Sequence, residues 1–136
     1  MTKVSPESTD RRPKPASEAP VHVWVVRHAQ ALERKLWTGD DVDRPLDETG
    51  EQQARDLARA LTAPVPRRLR TSPSRRCVDT LGPIADRLGL ELLREETLTP
   101  DGCTEGLLAL LADTAAAGDV VCTHAEVMRP ALEQLR

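Results

Sequence analysis

Residues 21–31 read VHVWVVRHAQA, an apolar run that ends abruptly at Arg27 and His28. Residues 21–26 are mostly β-branched or aromatic and are apolar on both faces. This pattern is typical of a strand covered by helices on both sides of a parallel sheet, and we take it as the first, central strand. Open α/β sheets bind ligands beyond the carboxyl ends of their strands, so Arg27 and His28 are expected at a ligand site. His22, at the opposite end of the strand, is interpreted as structural.

The length and composition predict one small domain with a core of aliphatic side chains. The chain has 136 residues and a net charge of -3, and it lacks Phe and Tyr. Its core is therefore expected to consist of Leu, Val, Ala and Ile with Trp24 and Trp37. The absence of a basic run and of an aromatic stacking platform argues against a nucleic-acid binder. Residues 1–20 contain four prolines and few apolar side chains, which predicts a disordered tail before a domain over 21–136.

The sequence also predicts a cytoplasmic protein that does not act at a membrane. No apolar stretch approaches the roughly 20 residues that a membrane-spanning helix needs. The N-terminus lacks the apolar segment of a signal peptide. The three cysteines have no CxxC spacing, which favours reduced thiols, and we interpret Cys77 and Cys122 as small core residues.

Strand and helix patterns alternate along the rest of the chain. Thr49 and Gln52 have capping-box spacing ahead of an amphipathic stripe. Ser72 is followed by Pro73, which is typical of a helix start, and the pair at 82–83, Gly-Pro, is expected to kink or interrupt that helix. Because Pro130 would lie inside a helix beginning after residue 123, we predict a loop to residue 129 and a helix from Pro130. The predicted strands are 21–26, 67–71, 91–93 and 119–123, and the predicted helices are 49–61, 72–88, 104–117 and one from 130.

The order of these elements implies a three-layer α/β/α sandwich with a mainly parallel sheet. Between the first strand and the first long helix, residues 31–36 suggest a short helical turn. A polar loop with Asp40, Asp41 and Asp43 follows it. Its spacing lacks the central Gly and closing Glu of a calcium loop, so we interpret it as a solvated acidic loop.

Chemically active side chains follow three different strands. Arg27 and His28 end the first strand, Arg75 and Arg76 follow the second, and His124 follows the last. Arginine is permanently charged and binds phosphate oxygens in pairs, so arginines here are suited to hold a transferring phosphoryl group.

This combination predicts phosphoryl transfer through a histidine. A neutral His28 can attack phosphorus and form a phosphohistidine. His124 as a donor would stabilise the phosphoryl oxygens. A carboxylic acid must then protonate the leaving oxygen and later activate water. The three histidines have no metal-ligand spacing, and no metal or other cofactor is expected.

Four segments carry a resemblance to a known family. They read RHA at 27–29, RPLDETGEQQA at 44–54, TSPSRRCVDT at 71–80 and THAEV at 123–127. Together they resemble the histidine phosphatase superfamily, also called phosphoglycerate mutase-like. Within it the chain is similar to the short branch of SixA-type phosphohistidine phosphatases, and most of all to the phosphatase-like domain that follows a Nudix domain in certain nucleotide hydrolases. Because full-length relatives continue past the last helix, the chain looks clipped at its C-terminus.

The resemblance implies a role for each matching residue. His28 would be the phosphorylated nucleophile, Arg27 and Arg76 the phosphate clamps and His124 the second pocket histidine. Arg75 competes with Arg76, which is preferred because its spacing to residue 80 is the R-x-x-x-T spacing of the family. Alanine stands at 29 and 125, where the family usually has glycine. The acid is sought in the loop after the third strand, where the candidates are Glu95, Glu96, Asp101 and Glu105.

These residues together predict a metal-independent phosphohydrolase that uses a phosphohistidine intermediate. Two substrate classes remain open: a small phosphomonoester or nucleotide, and phosphohistidine on a partner protein. The alternative function is a phosphate-binding pseudoenzyme or interaction module without turnover.

Overall fold

A computed structural model of the chain describes residues 23–102, 104–114 and 118–135. The predicted tail over residues 1–20 and the structural role expected for His22 lie outside these residues, so both stay predictions. Among the described residues, no helix is both long and apolar enough to cross a lipid bilayer.

Four described strands form one parallel sheet in the order β1-β4-β2-β3. Helices alternate with them along the chain, which confirms the predicted parallel α/β fold. The strands are β1 (Trp24–Arg27), β2 (Arg68–Thr71), β3 (Leu92–Arg94) and β4 (Asp119–Thr123), and the helices are α1 (Glu48–Ala60), α2 (Arg75–Leu88), α3 (Thr104–Thr114) and α4 (Ala125–Gln134). Short 3-10 helices occupy Arg34–Leu36, Asp41–Asp43 and Glu96–Leu98.

The most deeply buried strand is β4, which lies between β1 and β2. All five of its residues are buried, whereas β1 is half-buried and lies at one edge of the described sheet. The prediction that β1 is central was therefore wrong within the described strands. Helices cover both faces of a parallel sheet at its edge as well as at its centre, so an apolar sequence on both faces does not reveal position.

Alternate residues of β4 point into two separate cores. Val120 and Cys122 pack with α1 and α2 on one face, in a cluster that includes Leu69, Leu81 and Ile84. Val121 packs on the opposite face with residues of α3 and α4. The side-chain period of two in a strand produces this division. The molecule therefore has three layers, with the sheet in the middle.

The helix starts differ from those predicted. The cap of α1 is Asp47, whose Oδ1 accepts a hydrogen bond from the backbone N–H of Gly50 at 2.7 Å, so the predicted cap at Thr49 was wrong. Helix α2 begins at Arg75, not after Ser72, and its cap position is Ser74. It runs through Pro83, so the predicted interruption at 82–83 was wrong, and it ends at Gly89, whose left-handed φ of 67° is typical of a helix stop.

The prediction of a loop up to residue 129 was also wrong. Helix α4 begins directly after His124 and contains Pro130. Proline forfeits one backbone hydrogen bond, here to the carbonyl of residue 126, which belongs to an exposed residue. Burial of Val127 and Ala131 against the sheet compensates for that loss. The first turn is closed by the N–H groups of residues 127 and 128, which both donate to the carbonyl of His124.

Candidate active site

A cavity of about 530 Å³ lies at the carboxyl ends of β1 and β4. These strands are hydrogen-bonded neighbours, with Arg27 beside Thr123, so the residues that follow them must lie close together. The ring centres of His28 and His124 are 5.3 Å apart, edge to face. The structure therefore brings the two predicted site histidines together at the carboxyl edge of the sheet, where the sequence placed them. The cavity is lined by Arg27, His28, Ala29, Gln30, Ala31, Arg34, Arg44, Gln53, Arg76, His124 and Glu126.

His28 is held in the form that a nucleophile requires. Its Nδ1 lies 2.7 Å from the carbonyl oxygen of Ala29. A carbonyl can only accept, so Nδ1 carries the proton and Nε2 keeps a free lone pair. Burial of the ring lowers the pKa of His28 to about 4; the bond to Ala29 opposes this shift, and the nearby His124, Arg76 and Arg27 contribute to it. The imidazole is therefore neutral at neutral pH.

His124 is fixed from behind by buried polar groups. Its side chain is 1% exposed, and its Nε2 shares a hydrogen bond of 2.9 Å with the hydroxyl of Ser72. Ser72 also accepts from the backbone N–H of Ser74 at 3.2 Å. Because Nε2 is engaged with Ser72, Nδ1 is the ring nitrogen left for a ligand. The predicted core residue Cys77 is buried as expected and lies with Sγ 3.6 Å from Nε2.

The two neighbouring arginines of α2 have different surroundings. The Arg76 side chain is 3% exposed and lines the cavity. The Arg75 side chain is 53% exposed and pairs with Asp79 on the outer surface of α2. Arg76, not Arg75, thus shares the cavity with Arg27 and both histidines. Their roles as clamps stay predictions.

The acidic loop contacts the site directly. Asp41 accepts from Arg76 twice, through its backbone oxygen at 2.8 Å and its Oδ2 at 3.0 Å. Its Oδ1 accepts from Nε of Arg44 at 3.0 Å. Although desolvation acts in the opposite direction, the hydrogen bond from Arg44 and the charge of Arg76 lower the pKa of the Asp41 carboxyl. Asp40, Asp41 and Asp43 are exposed, as predicted for a solvated acidic loop. Sequence spacing gave no sign that Asp41 also contacts α2.

Thr80 connects the loop after β1 to α2. Its buried hydroxyl donates to the carbonyl of Arg76 at 2.6 Å and accepts from the N–H of Ala29 at 2.9 Å. The R-x-x-x-T spacing therefore joins α2 to Ala29, whose carbonyl binds Nδ1 of His28. The spacing was visible in the sequence, but the partner in the other segment was not.

The candidate acids from the third loop lie elsewhere. Glu96, Asp101 and Glu105 are not among the residues that line the cavity. Glu95 pairs with Arg70. The carboxylate in the cavity lining is Glu126, in the first turn of α4. Residue 126 is not among the acids selected from the sequence, although it belongs to the THAEV segment at 123–127.

Across residues 23–102, 104–114 and 118–135, no three His, Cys, Asp or Glu side chains are grouped so that they could share a metal ion. The cation-rich lining is instead complementary to an anion.

A family model for branch 1 of the histidine phosphatase superfamily matches residues 23–100, more than half of the chain. The chain belongs to the histidine phosphatase superfamily. At the level of the family, this confirms the predicted class of histidine-type phosphatase.

Similar proteins agree with this membership. The chain is 34% identical over 116 residues to an 8-oxo-(d)GTP phosphatase of Mycolicibacterium smegmatis, an alignment that covers 82% of this chain and 36% of that protein. The chain thus spans about a third of the length of that relative. A structure of the protein histidine phosphatase SixA complexed with tungstate is 27% identical, with a TM-score of 0.68 over 83% of this chain and 75% of that one. A SixA structure from Agrobacterium tumefaciens has 23% identity and a TM-score of 0.72 over 86% of this chain and 77% of that one, and it supports the fold.

Proposed function

We propose that this histidine phosphatase domain hydrolyses phosphate monoesters or phosphoanhydrides by way of a phosphohistidine at His28, without a metal ion. The observation that carries the proposal is the state of His28. Its Nδ1 is committed to the carbonyl of Ala29, and its lowered pKa keeps Nε2 unprotonated beside two arginines. A neutral nitrogen next to fixed positive charge is suited to attack a phosphoryl group.

The reaction divides into two displacements. Nε2 of His28 attacks phosphorus while Arg27 and Arg76 bind the phosphoryl oxygens, and the bond to the leaving oxygen breaks. Nδ1 of His124 is available to donate to the same oxygens, because Nε2 is engaged with Ser72. Water then attacks the phosphohistidine and releases inorganic phosphate, which restores His28.

Glu126 is the proposed proton donor and acceptor. It belongs to the cavity lining, and helix α4 places it two residues after His124. As the acid it would give a proton to the leaving oxygen, and as the base it would take a proton from the attacking water.

A nucleotide is the substrate that the cavity supports best. Its volume of about 530 Å³ is far larger than a phosphate and falls within the ~300–1,000 Å³ of small-molecule sites. Arg34 and Arg44 line the same cavity as the two clamps, which favours a substrate with a second anionic group. The relation to an 8-oxo-(d)GTP phosphatase agrees with this choice.

A second candidate is phosphohistidine on a partner protein. The 27% identity to the protein histidine phosphatase SixA supports it. The cytoplasm is the proposed location for either substrate.

The test compares wild type with His28→Ala. The purified chain is incubated with p-nitrophenyl phosphate, a panel of nucleoside mono-, di- and triphosphates and a phosphohistidine protein, each with and without EDTA. We expect turnover that resists EDTA and is lost in His28→Ala, with a covalent phosphoenzyme trapped by an alkaline denaturing quench, which preserves the P–N bond, only in wild type. EDTA-sensitive turnover, or activity that survives His28→Ala, would contradict the mechanism. Binding of phosphate without turnover would favour a pseudoenzyme.

A further inference from the structure

The guanidinium of Arg76 is held by one residue of the loop before α1. Nη1 donates to the backbone oxygen of Asp41 at 2.8 Å, and Nη2 donates to its Oδ2 at 3.0 Å. A guanidinium is planar and offers two bidentate edges, one formed by Nη1 and Nη2 and one formed by Nε and Nη2. Asp41 therefore occupies the first edge, whereas Nε on the second edge has no hydrogen-bond partner among the described residues.

The second edge of Arg76 contains a buried donor. The Nε–H of Arg76 is buried and has no hydrogen-bond partner within the described part of the chain. An unpaired buried donor on a charged group is costly, and native proteins rarely retain one without a reason. Because Arg76 lines the cavity, a phosphate oxygen is the partner that would satisfy it.

The second carboxylate oxygen of Asp41 is also held by an arginine. Its Oδ1 accepts from Nε of Arg44, and Arg44 is 11% exposed. Nη1 of Arg44 in turn donates to the carbonyl of Leu32 at 2.7 Å. A contact with Arg34, at 3.6 Å and largely exposed, adds little. A chain of hydrogen bonds therefore runs from the backbone carbonyl of residue 32 through Arg44 and Asp41 to Arg76.

We propose that Asp41 is the positioning residue for Arg76, turning its Nε–Nη2 edge towards the phosphoryl group. This inference rests on the proposed function, since it assigns the phosphate to the Arg76 edge. A carboxylate beside a clamp could also act as a competitor that phosphate must displace. The two roles predict opposite effects of removing Asp41 on anion binding, because a competitor weakens this binding whereas a positioning residue strengthens it.

The test uses Asp41→Ala with Asp43→Ala as the matched control. Asp43 belongs to the same 3-10 helix, and its replacement removes the same charge. It leaves the hydrogen bonds between Arg76 and Asp41 in place. We expect Asp41→Ala to lower kcat/KM for p-nitrophenyl phosphate about 10- to 100-fold and to weaken inhibition by orthovanadate, because a misdirected clamp loses its alignment with the transition state. Asp43→Ala should stay within about 2-fold of wild type.

A double-mutant cycle with Arg76→Ala separates positioning from a general charge effect. If Asp41 acts through Arg76, adding Asp41→Ala to Arg76→Ala causes no further loss. Equal losses in both backgrounds, no difference between Asp41→Ala and Asp43→Ala, or tighter orthovanadate binding in Asp41→Ala would overturn the inference. Asp41→Asn, which keeps the shape of the side chain, replaces Asp41→Ala in the cycle if thermal unfolding shows that the alanine variant is not folded.

The outcome is distinguishable from a failure of the proposed function. If wild type shows no turnover, the proposed function fails. The affinity of the wild type and the variants of the double-mutant cycle for inorganic phosphate is then measured by calorimetry. Weaker binding in Asp41→Ala, with no further loss in the Arg76→Ala background, would still support positioning.

Discussion

Replacing Thr80 by valine tests the connection between helix α2, which carries Arg76, and the segment that holds His28. Valine has nearly the same shape, so the substitution removes the hydroxyl with little change in packing. The N–H of Ala29 loses its acceptor at 2.9 Å. The carbonyl of Arg76 loses a donor at 2.6 Å but keeps the backbone partner of an α-helix.

The expected magnitude follows from these two bonds. A partly buried N–H without a partner costs about 1–3 kcal/mol, and removal of the buried hydroxyl offsets part of this. We expect a net loss of about 1–2 kcal/mol in the free energy of unfolding, which for a domain of this size is roughly 4–8 °C in Tm. Because Ala29 also fixes the tautomer of His28, kcat/KM should fall about 10-fold.

Thermal unfolding and steady-state kinetics measure both effects, with Thr80→Ser expected to restore most of the loss. Thr99→Val is the matched control, since its hydroxyl donates to the carbonyl of Glu96 at an exposed position away from the cavity. It should cost less than about 0.5 kcal/mol. If Thr80→Val is as stable and active as Thr99→Val, the proposed connection is wrong.

Three further predictions concern the cavity. NMR titration of the assigned His28 ring without ligand should give a pKa of about 4, and a pKa near 6.5 would contradict this. Because the unfolded chain binds a proton at His28 from about pH 6.5 downwards and the native state does not, the free energy of unfolding should fall as the pH drops from about 6.5 to about 4. Glu126→Gln should slow formation of the phosphoenzyme, followed by rapid alkaline quench, about 100-fold with alkyl phosphates and less than about 5-fold with p-nitrophenyl phosphate, because a good leaving group needs no acid in this first step. Equal losses in the first step would exclude the acid role. Ser72→Ala should cost about 1–2 kcal/mol by urea unfolding and weaken phosphate binding through His124, whereas unchanged binding would show that His124 is oriented by other contacts.

The strand ends were predictable because their signals are local. An apolar run followed by Arg27 and His28, and another followed by His124, identified two carboxyl ends of parallel strands. Parallel strands have their carboxyl ends at the same sheet edge, so the convergence of these residues followed from the element order. The motif at 71–80 favoured Arg76 over Arg75, and of the two it is Arg76 that is buried beside the cavity.

Features that depend on competition between local rules were predicted less well. Pro130 and Pro83 suggested a late start and an interruption, yet both lie inside continuous helices. Each proline removes only one backbone hydrogen bond, and burial of the apolar face of the helix outweighs that loss. Sequence propensity does not contain this burial term.

By itself the sequence determined the fold class, and it predicted the sheet edge at which the histidine and arginine side chains meet around the cavity. Only the tertiary structure decided which carboxylates lie beside these side chains. Asp41 reaches Arg76 across 35 residues of sequence, and Glu126 replaces the acids expected in the third loop as the carboxylate in the cavity lining. Periodicity and strand ends are encoded over a few neighbouring residues, whereas a contact between two loops depends on how the whole sheet brings them together.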